Sequence, residues 1–291
     1  MTARITELSL PAPAKLNLFL HILGRRSDGY HQLQTVFQLL DAGDNLHFRV
    51  RHDGRICFRC TDTTLAHDDN LVVQAAHLLK THTGVSLGAD ITLDKHLPAG
   101  GGLGGGSSDA ATTLLGLSTL WEVPTNLHHL AALGLRLGAD VPVFVHGHSC
   151  WAEGVGEQIQ PMALPHHWFV VLTPDCHVST AEVFHAQELT RNTPPITMAT
   201  FLRGGGHNDC QPVVLQRYPR VDDAFRWLSR FAATRMTGTG ASVFAVFDSM
   251  SAAQAVLAQR PAHFTGFVAR GVNVSPAHRI LTQDYWGIAK R

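Results

Sequence analysis

Apolar and polar residues alternate along much of the first sixty positions, the period of strands with one covered face. From Arg4 to Leu23 the pattern is strand-like, and it is clearest at Lys15 to Leu20. There Lys15 and Asn17 share one face while Leu16, Leu18 and Leu20 take the other. A turn follows at Gly24 to Gly29, a second strand-like run reaches Leu40, and strands continue from Leu46 to Cys60. The period then changes. Leu71 to His82 carries apolar residues at helical spacing, Ile91 to Leu97 reads as a strand, and Ser107 to Trp121 reads as a helix. A further helix over Leu127 to Leu137 is stopped by Gly138. Asp140-Val141-Pro142 reads as an N-cap with proline in the first turn of a short element, and Ser149 to Ile159 as strand. Two prolines between Pro161 and His167 mark a boundary. Beyond it strands (Trp168 to Thr173, Ser242 to Asp248, His263 to Arg270) alternate with helices (Thr180 to Glu188, Val221 to Phe231, Ser251 to Ala258), which predicts a second α/β layer.

One stretch fits no packing pattern. Six of the seven residues from Gly100 to Gly106 are glycine, with Leu103 between them; Pro98 and Ala99 precede them, and Ser107 and Ser108 follow. Glycine has no side chain to pack and loses the most entropy on ordering. What such a run offers is bare N–H groups, here between a strand and a helix rather than in a polar linker. Loop amides and the positive end of a helix make an anion site, and a phosphate chain is the biological anion of that size. A Walker A loop needs Gly-Lys-Ser/Thr at its end, and no lysine follows Gly106. Gly100, Gly102 and Gly105 meet the dinucleotide pattern formally, but no second strand ending in an acidic residue follows. Ser107 and Ser108 lie where a helix N-cap and first turn belong; a hydroxyl there caps amides or reaches a phosphate oxygen or a metal ion. A second glycine cluster, Gly238-Thr239-Gly240-Ala241-Ser242, precedes a strand and is by itself a tight turn.

Composition narrows the partners. A chain of 291 residues suits one large domain or two ordinary ones. Lysine and arginine total 23, aspartate and glutamate 23, so no net field attracts nucleic acid or an anionic membrane. The longest apolar runs are strand-sized, and no signal pattern opens the chain. Five cysteines, an odd number, suit a reducing cytoplasm. Cys57 and Cys60 fall on opposite faces of a strand. His146, His148 and Cys150 alternate as metal ligands can, but no fourth ligand stands nearby.

Three motifs thus stand in order: Pro13-Ala14-Lys15-Leu16-Asn17, Pro98 to Ser108 with Asp109-Ala110-Ala111, and Gly238 to Ser242. The set resembles the GHMP kinase family of small-molecule kinases. Arg25-Arg26-Ser27-Asp28-Gly29-Tyr30-His31, Leu137 to Pro142 and Arg191-Asn192-Thr193-Pro194 resemble, within it, members acting on a cytidine diphosphate-linked methylerythritol. The resemblance covers nearly the whole chain. It implies an α+β fold of two domains: an ATP-binding N-terminal domain over residues 1–160, like the second domain of ribosomal protein S5, and a ferredoxin-like C-terminal domain over 161–291. ATP and Mg2+ are the implied cofactors, and the expected form is a cytoplasmic monomer or weak homodimer.

The resemblance also distributes roles. Lys15 and Asp140 become the catalytic pair. Pro98, Ala99, Gly100, Gly101, Gly102, Leu103, Gly104, Gly105, Gly106, Ser107 and Ser108 hold the triphosphate, Ser108 reaches magnesium, and Asn70 and Leu71 line the adenine pocket. Tyr30 and Phe184 face the cytosine ring, His31 bonds its edge, and Asn17, Thr180, Gly238, Thr239 and Gly240 contact the acceptor. From the residues alone, Lys15 reads first as a solvated strand lysine, Asp140 equally as a plain N-cap, and Tyr30 and Phe184 equally as core aromatics. Asp109 departs from the asparagine common at its position; a carboxylate there must face away from the phosphates or help hold metal. Rival readings are a homoserine- or mevalonate-type kinase, a nucleotide-binding module without chemistry and, more distantly, a dinucleotide oxidoreductase.

Overall fold

The computed structural model describes residues 5–27 and 29–286; Arg4 and Asp28 lie outside the described residues. Two long antiparallel strands, β1 (Glu7–Arg25) and β2 (His31–Arg51), form the spine of the first lobe. β3 (Ile56–Cys60), α1 (Leu71–Thr83) and β4 (Gly88–Asp94) make a parallel crossover, with β4 antiparallel to β2. Then come α2 (Gly105–Leu120), α3 (Leu127–Leu135) and α4 (Val141–His146), followed by a hairpin of β5 (Cys150–Gly154) and β6 (Gln158–Pro161), of which β5 pairs with β2. α2 mixes small, hydroxyl-bearing and apolar residues with little segregation to one face, and it is buried nearly all round, between the sheet, α1 and α4.

The second lobe opens with β7 (Trp168–Pro174). Four helices follow: α5 (Thr180–His185), α6 (Met198–Leu202), α7 (Cys210–Arg217) and α8 (Pro219–Ser229). β8 (Thr234–Met236), β9 (Val243–Phe247), α9 (Met250–Leu257), β10 (Phe264–Val272) and α10 (Pro276–Ile280) complete the order. The strands lie in the order β8-β9-β7-β10, all neighbours antiparallel, with helical connections after β7 and after β9. This is the ferredoxin-like arrangement. The two sheets meet where β10 pairs with β2 through Gly271–Leu40 and Val272–Leu39.

Most elements fall within a few residues of their expected positions. α6, α7, β8 and α10 were not expected; each spans eight residues or fewer, too short for a period to show. The strand-like run from Ser149 to Ile159 is broken into a hairpin around Gly154 and Gly156, both at positive φ. The prolines expected to mark a boundary are the last residue of β6, Pro161, and Pro165 in the link to β7, but the chain does not divide cleanly there. Val272, Ala277 and Leu281, all beyond the expected cut, pack into the first lobe's core with Leu39, Leu114 and Val145.

The glycine-rich loop is held between the lobes by its one apolar residue. Leu103 is almost fully buried with Leu97, with Leu16 and Leu40 of the first sheet and with Phe169 and Phe244 of the second. Burying such a side chain is worth about 1.5–3 kcal/mol. Leu103→Ala is therefore expected to destabilise the protein by about 2–5 kcal/mol in urea denaturation, transfer and cavity terms together.

Candidate active site

Strain and close approach explain why the loop needs glycine. Gly102 and Gly104 have φ of 74° and 72°, which side chains disfavour. A Cβ on Gly102 would lie 2.6 Å from the Thr237 carbonyl oxygen, and one on Gly104 would lie 2.9 Å from the Phe144 ring and 3.0 Å from Lys15 Cγ.

The loop's carbonyls are tied down. Leu103 O accepts from the Lys15 amide at 2.9 Å, Gly101 O from the Ser242 amide at 3.1 Å, and Gly102 O from Thr237 Oγ1 at 3.2 Å. Among the described residues no backbone carbonyl accepts from the amides of Gly100 to Gly106. Carbonyls bound behind and amides left free in front make an anion cradle, continued by the first turn of α2. The N-cap of α2 is Gly104 and no side chain caps it, so of the roles open to Ser107 and Ser108 capping is played by neither.

The cradle forms one wall of a cavity of about 600 Å3, the size of a nucleotide-scale site. Of the expected residues, Lys15, Asn17, Asn70, Leu71, Asp140, Thr180, Phe184, Gly238 and Thr239 line it, together with everything from Pro98 to Ser107. Tyr30, His31, Ser108 and Gly240 do not. The Ser108 hydroxyl is buried without a hydrogen-bond partner, so it stands behind the wall rather than on it. Tyr30 is 65% exposed. Phe184 stacks on His31 (centroids 4.9 Å apart, planes 22° apart), so here the ring against Phe184 is His31 and not Tyr30.

Irregular strand pairing aims the lysine. β1 shifts register between Pro13 and Lys15 and again between Asn17 and Leu20, and such bulges redirect side chains beside sites. Lys15 is 4% exposed, far from the solvated alternative. Its Nζ donates to Asn17 Oδ1 at 2.6 Å, lies 3.2 Å from Asp140 Oδ2, and sits 5.3 Å from the centre of the Phe37 ring. Asn17 is itself fixed: Nδ2 donates to Thr35 Oγ1, and its backbone amide donates to Thr237 Oγ1, both at 3.0 Å. Asp140 does occupy the N-cap position of α4, but its side chain makes no capping bond. It turns to Lys15 instead, with 31% of its surface still open. On the opposite wall Thr180 and Thr239 share a hydrogen bond of 2.9 Å, and Asn208 Nδ2 donates to the carbonyls of Met236 and Gly238 at 2.8 Å each.

A charged cluster under the cradle was not foreseen. Lys95 Nζ lies 2.6 Å from Asp44 Oδ2 and 2.8 Å from Asp109 Oδ2, all three side chains being more than nine-tenths buried. Asp44 also accepts the amides of His96 and Leu97 at 2.6 and 2.7 Å, which pins the end of β4 to the start of the loop. Asp109 meets Lys95 and, beyond it, the like-charged Asp44 carboxyl, and its Oδ1 has no hydrogen-bond partner. Desolvation is the main effect on this carboxyl, and it pushes the pKa up to about 7 against the pull of Lys95. Its facing direction answers the question the sequence raised: Asp109 is turned onto a lysine rather than left bare beside the cradle.

Two family models divide the chain between them: GHMP kinases N terminal domain matches residues 70–148, and GHMP kinases C terminal matches residues 188–266. The chain belongs to the GHMP kinase family. It is 57% identical over 275 residues, 94% of each chain, to the protein of Ectopseudomonas mendocina named 4-diphosphocytidyl-2-C-methyl-D-erythritol kinase. To the protein of that name from Alkalilimnicola ehrlichii it is 58% identical over 265 residues, 91% of each chain. The crystal structure of a 4-(cytidine 5'-diphospho)-2C-methyl-D-erythritol kinase superimposes with a TM-score of 0.79 at 30% identity, covering 91% of this chain and all of that one. Homoserine kinase from Cytophaga hutchinsonii, at 14% identity and a TM-score of 0.64 over 95% of this chain and 98% of its own, shares the fold. Among the described residues no helix is long and apolar enough to cross a membrane.

A carboxyl whose pKa rises on folding favours the native state when protonated. The stability it lends is full below its unfolded value near 4 and is lost as the pH climbs through 7. Asp109→Asn removes that dependence. The variant should gain stability relative to the parent between pH 5 and pH 8, read from urea denaturation at both. Parallel profiles would show an Asp109 ionised throughout.

Proposed function

We propose that this chain transfers the γ-phosphoryl group of ATP to the 2-hydroxyl of 4-diphosphocytidyl-2-C-methyl-D-erythritol, a step of non-mevalonate isoprenoid precursor synthesis. The observation that carries the reading is the Lys15–Asp140 pair, 3.2 Å apart on the wall of a cavity that also holds a cradle of free amides. A nucleotide-binding module without chemistry has no need of a buried lysine aimed at an open carboxylate. The relatives of 57–58% identity, all named for this acceptor, favour it over homoserine or mevalonate.

The roles follow from placement. The amides of Gly100 to Gly106 and the start of α2 take the triphosphate, and Asn70 and Leu71 border the adenine end. Phosphoryl transfer passes through a loose transition state, so positioning and charge dominate over nucleophile strength. Asp140 holds the acceptor hydroxyl in line and takes its proton late. Lys15, fixed by Asn17, orients Asp140 and offsets charge growing on the transferring oxygens. Asn17, Thr180, Gly238 and Thr239 contact the acceptor, and Phe184 stacks on its base. The donors facing the cavity suit magnesium carried by the nucleotide: the open Asp140 carboxylate and the Ser107 hydroxyl are hard oxygens. Bound there, magnesium neutralises phosphate charge. The lobes divide near residue 160, with Pro276 to Trp286 belonging to the first.

Asp140→Asn should lower turnover by about 10² to 10⁴ while ATP binding persists, measured as ADP release and as nucleotide affinity. A near-normal rate removes Asp140 from the mechanism. In the same assay Phe184→Ala should raise KM for the cytidyl acceptor and leave KM for ATP unchanged. ADP released equally well with homoserine or mevalonate would overturn the acceptor.

A further inference from the structure

Arg191 lies in the segment after α5, off the cavity wall, and its guanidinium is engaged on several sides. Nη2 donates to the carbonyls of Phe184 at 2.9 Å and Ala186 at 2.6 Å, and Nη1 to that of Leu189 at 3.1 Å. The first two are carbonyls at the end of α5, which the helix itself leaves unpaired. Nε donates to His31 Nε2 at 3.3 Å. A guanidinium has donors and no acceptor, so His31 Nε2 must carry the lone pair and the ring proton must sit on Nδ1. A protonated imidazole would set N–H against N–H and cation against cation. Burial lowers the His31 pKa, and Arg191, Arg25 across the β1–β2 pairing and His185 on α5 lower it further. His31 in turn lies flat on Phe184, the aromatic residue on the cavity wall.

We propose that Arg191 is a positioning residue for the base-binding end of the site: it holds His31 as the neutral Nδ1–H tautomer stacked against Phe184, and it fixes the end of the helix that carries Phe184. The inference rests on the acceptor reading above. One side chain thus clamps both layers of the stack without touching the cavity. Loss of the clamp frees the Phe184 ring to turn, and its effect falls on the acceptor rather than on ATP, whose cradle is the glycine loop ahead of α2 and includes no part of this stack.

The test uses the intact protein, with cytidine diphosphate and ATP as separate probes in calorimetry. Arg191→Met should weaken cytidine diphosphate about tenfold, the worth of one or two neutral hydrogen bonds, and leave ATP affinity unchanged. Arg191→Lys, which keeps the charge but not the fork, should fall between. Nitrogen-15 NMR of the histidine rings, with His31 assigned through His31→Asn, should show the Nδ1–H form in the parent. In Arg191→Met it should show mixed tautomers and a higher titration point, which a merely structural role would not produce. Unchanged cytidine diphosphate affinity, an equal loss of both ligands, or an Nε2–H ring in the parent overturns the proposal. If the parent binds no cytidine diphosphate, the acceptor reading falls, while the NMR result still decides whether Arg191 governs His31.

Discussion

The site depends on which way one short loop faces. A glycine run can turn its amides in any direction, and here the direction is set by what holds its carbonyls. β1 takes Leu103 through the Lys15 amide, and the segment from Thr237 to Ser242 takes Gly101 and Gly102. Leu103 buried between the sheets fixes the rest. The amides are left to the cavity by elimination. Because both lobes supply these bonds, the phosphate cradle belongs to the pair of lobes and not to the first alone.

The same bond from the Lys15 amide places its side chain. A residue whose backbone braces the cradle and whose ammonium meets Asp140 couples the two halves of the chemistry through a single position. Asn17, two residues on, couples it to the second lobe through Thr237. The lysine is costly to bury and is tolerated because a carboxylate, an amide oxygen and the face of Phe37 surround it. The Asp44–Lys95–Asp109 cluster follows a similar rule below the loop, but with one carboxylate oxygen left unsatisfied.

Much of this was legible in the sequence. A glycine run between a strand and a helix announces its chemistry locally, and Asp140 followed by proline announces a helix start. The resemblance then raised Lys15 above an ordinary strand lysine. What escaped was non-local. Asp44, Lys95 and Asp109 come from three separate segments, and nothing in their spacing joins them. Only the carboxylate at position 109, where asparagine is also common, hinted at a charge needing a partner. Arg191 and Asn208 work through backbone carbonyls, which leave no pattern among side chains. Tyr30 stood beside His31 in a motif, yet it lies one residue ahead of β2 and is largely exposed, and only His31, the first residue of the strand, turned toward Phe184.

The return of the chain to its starting lobe has a consequence for biosynthesis. Ala277 and Leu281 fill the core built by the early strands and helices, and Val272 joins them beside β2. These side chains leave the ribosome only after the whole second lobe has been made. The first lobe therefore waits with part of its interior unfilled while its partner is being translated, and both complete their folding together once the closing segment arrives.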